Sequence, residues 1–221
     1  MKIKSLEVLT NHLDATTAFY QDVIGLEYAG GTELTSIFRA GDSLLTFVYT
    51  KAVIKPVYHF AFTLPCNQLK EALGFMSERV GILPLPAGEL IADFSGWHAH
   101  AFYFYDNNGN VLEYIVRYDL HNDSGRPFSG KSICCISEAG IVTSDVPALA
   151  AQLSAHYHIP CYSRQPPQAH FTVMGDDHGL LILSAAHRKW FPTQIGALSF
   201  PLRLIFTGPG GKEQMFRHGY G

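Results

Sequence analysis

An α+β fold of repeated βαβββ units, paired into a curled mixed sheet that forms a cup with helices outside, is what this sequence predicts. Three observations carry it. A strand, a helix and a run of short strands occur over residues 1–54 and again over 55–118. The helix of each copy stops at a glycine, Gly25 and Gly81, the usual residue for that place. Each copy then closes on a turn before an apolar strand: Gly41-Asp42 before SLLTFVY, and Asp106-Asn107-Asn108-Gly109 before NVLEYIV. A unit of this size leaves an apolar face open and must bury it against a copy. The two units are therefore expected to pair within residues 1–118.

The first unit opens with KIKSLEVLT, where Leu6 and Val8 face one side of a strand and Ser5 and Glu7 the other. Apolar residues at Ala18, Phe19, Val23 and Ile24 predict a helix over 14–24, with Asp14 as an N-cap or first-turn carboxylate. Strands near 27–30, 34–40 and 43–49 follow. In the second unit a strand over 58–64, a helix over 67–80 and a Pro/Gly-rich crossing through Pro84, Pro86 and Gly88 lead to strands near 89–93, 99–105 and 110–117. The Asn- and Gly-rich turn before the last strand tolerates positive φ and fixes its register. Counting from it, Leu112 and Glu113 face opposite sides.

Residues 119–132, DLHNDSGRPFSGKS, read as a linker. Residues 133–221 repeat the order a third time: CCISEAGIVTSD, the helical VPALAAQLSAHY, a Pro-rich crossing over 160–167, then FTVMG and GLLILSA around the turn 175–179. LSFPLRLIF adds one strand, and GPGGKEQMFRHGYG reads as a tail.

Hydrophobic content of 47% and charged content of 16% describe an ordered chain. A net charge of −3 without a basic stripe argues against nucleic acid and for a small-molecule partner. No apolar run approaches the roughly 20 residues of a spanning helix, and the N-terminus lacks a basic-then-apolar leader, so no membrane association and a cytoplasmic address are expected. No nucleotide cofactor is expected. Cys66, Cys134, Cys135 and Cys161 lack CxxC spacing and read as reduced thiols. Unit pairing can be completed within one chain or by exchange between two, which leaves a homodimer open.

His59 at the head of one strand and Glu113 in another are the polar residues of elements whose other face is apolar. If inward residues of curled strands converge, a neutral imidazole and a carboxylate suit Mn²⁺, Fe²⁺, Ni²⁺ or Zn²⁺, although two ligands are one short. A buried unpaired carboxylate is costly, so Glu113 requires a metal, a base or a donor. A plain hydrogen-bonded His59–Glu113 pair is the alternative. Tyr103 and Ala101 face the cavity if Phe102 and Phe104 pack on the helix, which assigns His98 and His100 to the opposite, structural or surface side.

AFYQDVIGLEY in the first unit, with YHFAF and FYFYDNNGNVLEYI in the second, resembles the vicinal oxygen chelate superfamily of glyoxalase I, fosfomycin-resistance thiol transferases, bleomycin-resistance proteins and extradiol dioxygenases. The resemblance covers residues 1–118 well and 133–185 more faintly. It implies metal ligation by His59 and Glu113 and substrate contact by Tyr103. The family's first ligand position falls on Ser5, a poor ligand. Glu7, on the same face, is the expected substitute, both as a ligand and as a proton carrier. Glu138 occupies the third unit's equivalent of Ser5 and is expected to be structural or part of a vestigial or shared site. The implied function is a metal-dependent lyase, thiol transferase or dioxygenase acting on a small oxygenated molecule. The rival is a metal-free binding protein of the bleomycin-resistance type, favoured by Ser5 and by 13% aromatic content.

Overall fold

In the computed structural model, which describes residues 1–208 and 210–219, the first unit comprises β1 (Lys2–Thr10), α1 (Leu13–Ala18), β2 (Glu27–Thr32), β3 (Thr35–Ala40) and β4 (Ser43–Tyr49). A π-helical turn, Phe19–Val23, extends α1 over the predicted helix. The second unit comprises β5 (His59–Thr63), α2 (Leu69–Ser77), the short β6 (Ile82–Leu83) and β7 (Ala92–Phe94), β8 (Ala99–Tyr105) and β9 (Val111–Arg117). The third is βαββ: β10 (Cys135–Thr143), α3 (Val146–Tyr157), β11 (Phe171–Asp176) and β12 (Gly179–Ala185). Asp145 caps α3, accepting from the Ala148 amide at 2.9 Å. The expected tail instead contains β14 (Glu213–His218), which pairs antiparallel with β13 (Leu202–Thr207).

Two mixed sheets result. One runs β14-β13-β1-β4-β3-β2 and the other β11-β12-β10-β5-β9-β8-β6, with β7 on β8. The sequence expectation had the units of 1–54 and 55–118 sharing a cup; the hydrogen-bonded partners are different. The second unit joins the third through antiparallel β5 and β10, and the first joins the C-terminal hairpin through β1 and β13. Every unit presents its opening strand as an edge that needs a partner. Alternation within a unit carries no information about which edge meets which.

The apolar faces of both sheets merge into one core that includes Val8, Phe38, Phe47, Phe62, Phe104, Leu112, Tyr114 and Leu204. A second cluster, with Ala61, Ala101, Tyr103, Ile115, Ile182 and Trp190, lies on the other face of the eight-stranded sheet. Leu112 and Tyr114 thus face the shared core, while Tyr103, Ala101 and Ile115 lie in the cluster on the other face of the sheet.

The Asp106–Gly109 turn is also the joint between the first two units. Buried Asp106 accepts from the Tyr20 hydroxyl at 2.8 Å and from the amides of Asn108 and Asn110 at 2.8 and 2.9 Å. Burial pushes its carboxyl up, opposed by those donors. Tyr20→Phe removes one donor from a buried carboxylate and should cost about 1–3 kcal/mol in urea unfolding; an unchanged midpoint would show that the joint carries no load.

Candidate metal centre

Three strands of the eight-stranded sheet bring the site together around one small residue. Ala61 on β5 stands opposite Glu113 on β9 and opposite Glu138 on β10, so two carboxylates flank a methyl group. His59 lies two residues along the same face. A β-bulge makes this possible: pairing runs Ile136 to Phe62 and then Glu138 to Ala61, leaving Ser137 as the extra residue. Without the bulge, Ser137 would face Ala61 and Glu138 would turn toward the core.

His59, Glu113 and Glu138 are 7%, 3% and 3% exposed. Their ligand atoms lie within 4.8 Å of one another, with His59 Nε2 3.7 Å from Glu113 Oε2. His59 Nδ1 is 2.9 Å from the Val111 carbonyl oxygen, so Nδ1–H donates there and Nε2 is left with its lone pair toward the carboxylates. Desolvation lowers the imidazole pKa against the opposing pull of Glu138, which keeps the ring neutral at pH 7. Burial, then the neighbouring Glu138 charge, push the Glu113 carboxyl well up; Arg117 and a hydrogen bond from the Tyr103 hydroxyl oppose this. Burial likewise pushes the Tyr103 hydroxyl up.

One neutral nitrogen and two crowded carboxylates fit a divalent cation, which would relieve the repulsion that burial intensifies. The mixed N/O set suits Mn²⁺, Fe²⁺, Ni²⁺ or Zn²⁺.

These residues line a cavity of about 270 Å³, walled by Phe94, Trp97, Phe171, Trp190 and Phe191. The segment between β12 and β13 supplies part of the wall. It folds back through Trp190 N to the Ile195 carbonyl at 2.9 Å and Ala197 N to the Arg188 carbonyl at 2.8 Å. This places the Trp190 ring 5.1 Å from the His59 ring and Phe191 5.5 Å from Tyr103. An aromatic ligand entering this space should change tryptophan emission, and because Trp97 and Trp190 both line it, Trp190→Phe should reduce that change without abolishing it; an undiminished response in Trp190→Phe would show that the ligand does not contact Trp190.

His59, Glu113 and Tyr103 line one cavity. Glu7 does not join them. It lies on β1 in the other sheet, opposite Arg203, whose guanidinium donates to its carboxylate. Ser5 stands opposite Leu44 and Ile205 in that sheet. The third candidate ligand at the centre is Glu138. Its match to the first-ligand position was visible in the sequence, but its partnership with β5 was not. His98 bonds Asp119 at 2.8 Å and His100 lies 3.7 Å from Asp93, outside the cup. The four cysteines are unpaired with one another, and burial pushes the Cys134 thiol up to about 11, away from nucleophilic use.

No protein-family model and no curated protein matches the chain. Solved structures do. A Bacillus subtilis subsp. subtilis str. 168 protein provisionally described as a dioxygenase is 13% identical, with a TM-score of 0.63, over 100% of this chain and 86% of that one. Lactoylglutathione lyase from Agrobacterium tumefaciens is 21% identical over 52% of this chain and 92% of its own, with a TM-score of 0.43. A fosfomycin resistance protein from Listeria monocytogenes, solved with Mn(II) and 1S,2S-dihydroxypropylphosphonic acid, is 17% identical over 52% and 87%, with a TM-score of 0.40. No helix of the described residues is long and apolar enough to cross a membrane. The two mixed sheets of βαβββ-like units and the match over the whole chain give this protein the vicinal oxygen chelate fold.

Proposed function

We propose that this protein is a metal-dependent enzyme of the vicinal oxygen chelate kind, acting on a small oxygenated molecule by lyase, thiol-transferase or dioxygenase chemistry. The observation that carries the reading is the convergence of His59, Glu113 and Glu138 in one aromatic-walled cavity. A divalent cation held there supplies Lewis-acid stabilisation of adjacent substrate oxygens. The aromatic walls exclude water and orient a flat or apolar substrate body. Tyr103 holds Glu113 through its hydroxyl and presents its ring to the cavity beside Phe191.

The test is elemental analysis of protein prepared without chelator or affinity metal, beside a His59→Ala/Glu113→Gln double variant. Stoichiometric metal in wild type and its loss in the variant are expected, followed by turnover in a screen of vicinal-oxygen substrates under air and under nitrogen. Wild type that takes up no Mn²⁺, Fe²⁺, Ni²⁺ or Zn²⁺ overturns the enzyme reading.

A second reading is favoured by one observation: Glu138 already accepts from a buried cation, Arg117. In that reading the cup is a metal-free binding site for an aromatic small molecule, and ligand affinity persists in chelator.

A further inference from the structure

We infer that Arg117 is a resident cation of the candidate metal centre: it balances the site carboxylates when no metal is bound, and it weakens the binding of every divalent ion that enters. The inference rests on the metal reading above and concerns a residue that reading does not use.

Arg117 ends β9, four residues beyond Glu113 and on the same face by alternation. Its guanidinium reaches from β9 past β5 to β10, where Nη2 donates to Glu138. Small side chains on the intervening strand, Ala61 and Thr63, leave the way open. The residue is 1% exposed, and its Nε and Nη1 have no hydrogen-bond partner among the described residues. A guanidinium stays charged under all ordinary conditions. One kept only to stabilise the fold would satisfy its buried donors. Arg117 makes one charged contact, and that contact is to a candidate ligand.

The charge sums follow directly. With both carboxylates ionised, they and the one guanidinium give −1 in the centre before a metal enters, and a divalent ion takes it to +1. Without the guanidinium the corresponding values are −2 and 0. An incoming ion therefore meets a weaker field in the native protein than the carboxylates alone would provide. An opposing effect exists, because a partner that orients a ligating carboxylate typically strengthens metal binding by about ten- to a hundredfold. The repulsion is larger: a unit charge about 5 Å from a divalent ion changes its affinity by more than about a thousandfold even at an effective dielectric of about 20.

The measurement is calorimetric titration of the metal-free full chain with Mn²⁺ and Zn²⁺, comparing wild type, Arg117→Met and Arg117→Lys. Arg117→Met is expected to bind each ion at least about tenfold tighter, and Arg117→Lys, which keeps the charge and loses the fork, to stay within about threefold of wild type. If Arg117→Met fails to fold without metal, Arg117→Gln, which keeps a donor for Glu138 without the charge, carries the same comparison. An empty wild type beside a loaded Arg117→Met supports the weakening by Arg117 and at the same time overturns the metal-dependent enzyme reading above. Wild type that binds while the folded neutral variants bind no tighter overturns this inference alone. Wild type and neutral variants that all remain empty overturn the metal reading and this inference together.

Discussion

Glu138→Gln should lower divalent-metal affinity by at least about a hundredfold, more than is usual for an outer-shell partner, whereas Glu7→Gln should leave it unchanged. The contrast separates Glu7, which the sequence suggested as the substitute ligand, from Glu138, which it suggested as structural or part of a vestigial or shared site. Glu138 stands across β5 from Glu113 with its ligand atom inside the 4.8 Å group. Glu7 is 15% exposed in its side chain and engaged by Arg203 in the other sheet. Equilibrium dialysis with Mn²⁺ reads both variants directly. Equal losses in the two, or none in Glu138→Gln, would remove Glu138 from the centre.

Glu113→Gln should abolish metal retention and at the same time stabilise the metal-free protein by more than about 1 kcal/mol at pH 8, since each tenfold difference in proton affinity between folded and unfolded states is worth about 1.4 kcal/mol. The sign follows from the environment. Burial and Glu138 raise the folded pKa of Glu113 above the unfolded value, which is about 4.3. Below about pH 4.3 both states hold the proton. As pH rises through the interval, the unfolded chain releases it first, so stability falls until the folded pKa is passed. Asp106, also raised by burial, adds a slope of the same sign that the variant retains. His59 works oppositely: its folded pKa is lowered, so stability is lost as pH falls through the unfolded value of about 6.5. Urea unfolding in chelator at pH 5 and pH 8 should show a flatter alkaline side for Glu113→Gln. A variant less stable than wild type at pH 8 would mean that Glu113 is held by favourable contacts that outweigh its desolvation. A gain in stability joined to a loss of ligation is what a residue retained for function produces.

Much of this was legible in the residues because periodicity is a local property. Alternation from Gly109 placed Glu113 opposite the face of Leu112 and Tyr114, and the same counting put Tyr103 in the cup and His98 and His100 outside it. The helix of the third unit, Val146–Tyr157, matches the apolar run that announced it. What sequence could not supply was contact between units. Four opening strands, β1, β5, β10 and β13, compete for partners, and the pairing of β5 with β10 decides that Glu138 completes the site. The bulge at Ser137 is equally silent, since nothing in CCISEAG distinguishes a strand that slips by one residue from one that does not. Arg117 read as the end of an apolar strand, and Trp190 lay in a segment without periodicity. The GPGGKEQMFRHGYG stretch looked like a tail because, among its described residues, the one apolar anchor on the core, Phe216, is too little to announce a strand before its partner is known.

The antiparallel seam between β5 and β10 makes the centre a junction of two stretches of chain that meet only after residues 119–132 have passed between them. Asn67 holds that passage by accepting from the Ser124 amide at 3.0 Å and donating to the Ser124 carbonyl at 2.8 Å. His59 and Glu113 come from before it and Glu138 from after it. A protease cut there would leave the covalent chain in two pieces and the candidate site in two pieces with it, one carrying two of the three candidate ligands and the other the third. Reassembly of those fragments would then be coupled to whatever the cup binds, because an ion or small molecule that needs both halves favours the rejoined state by mass action.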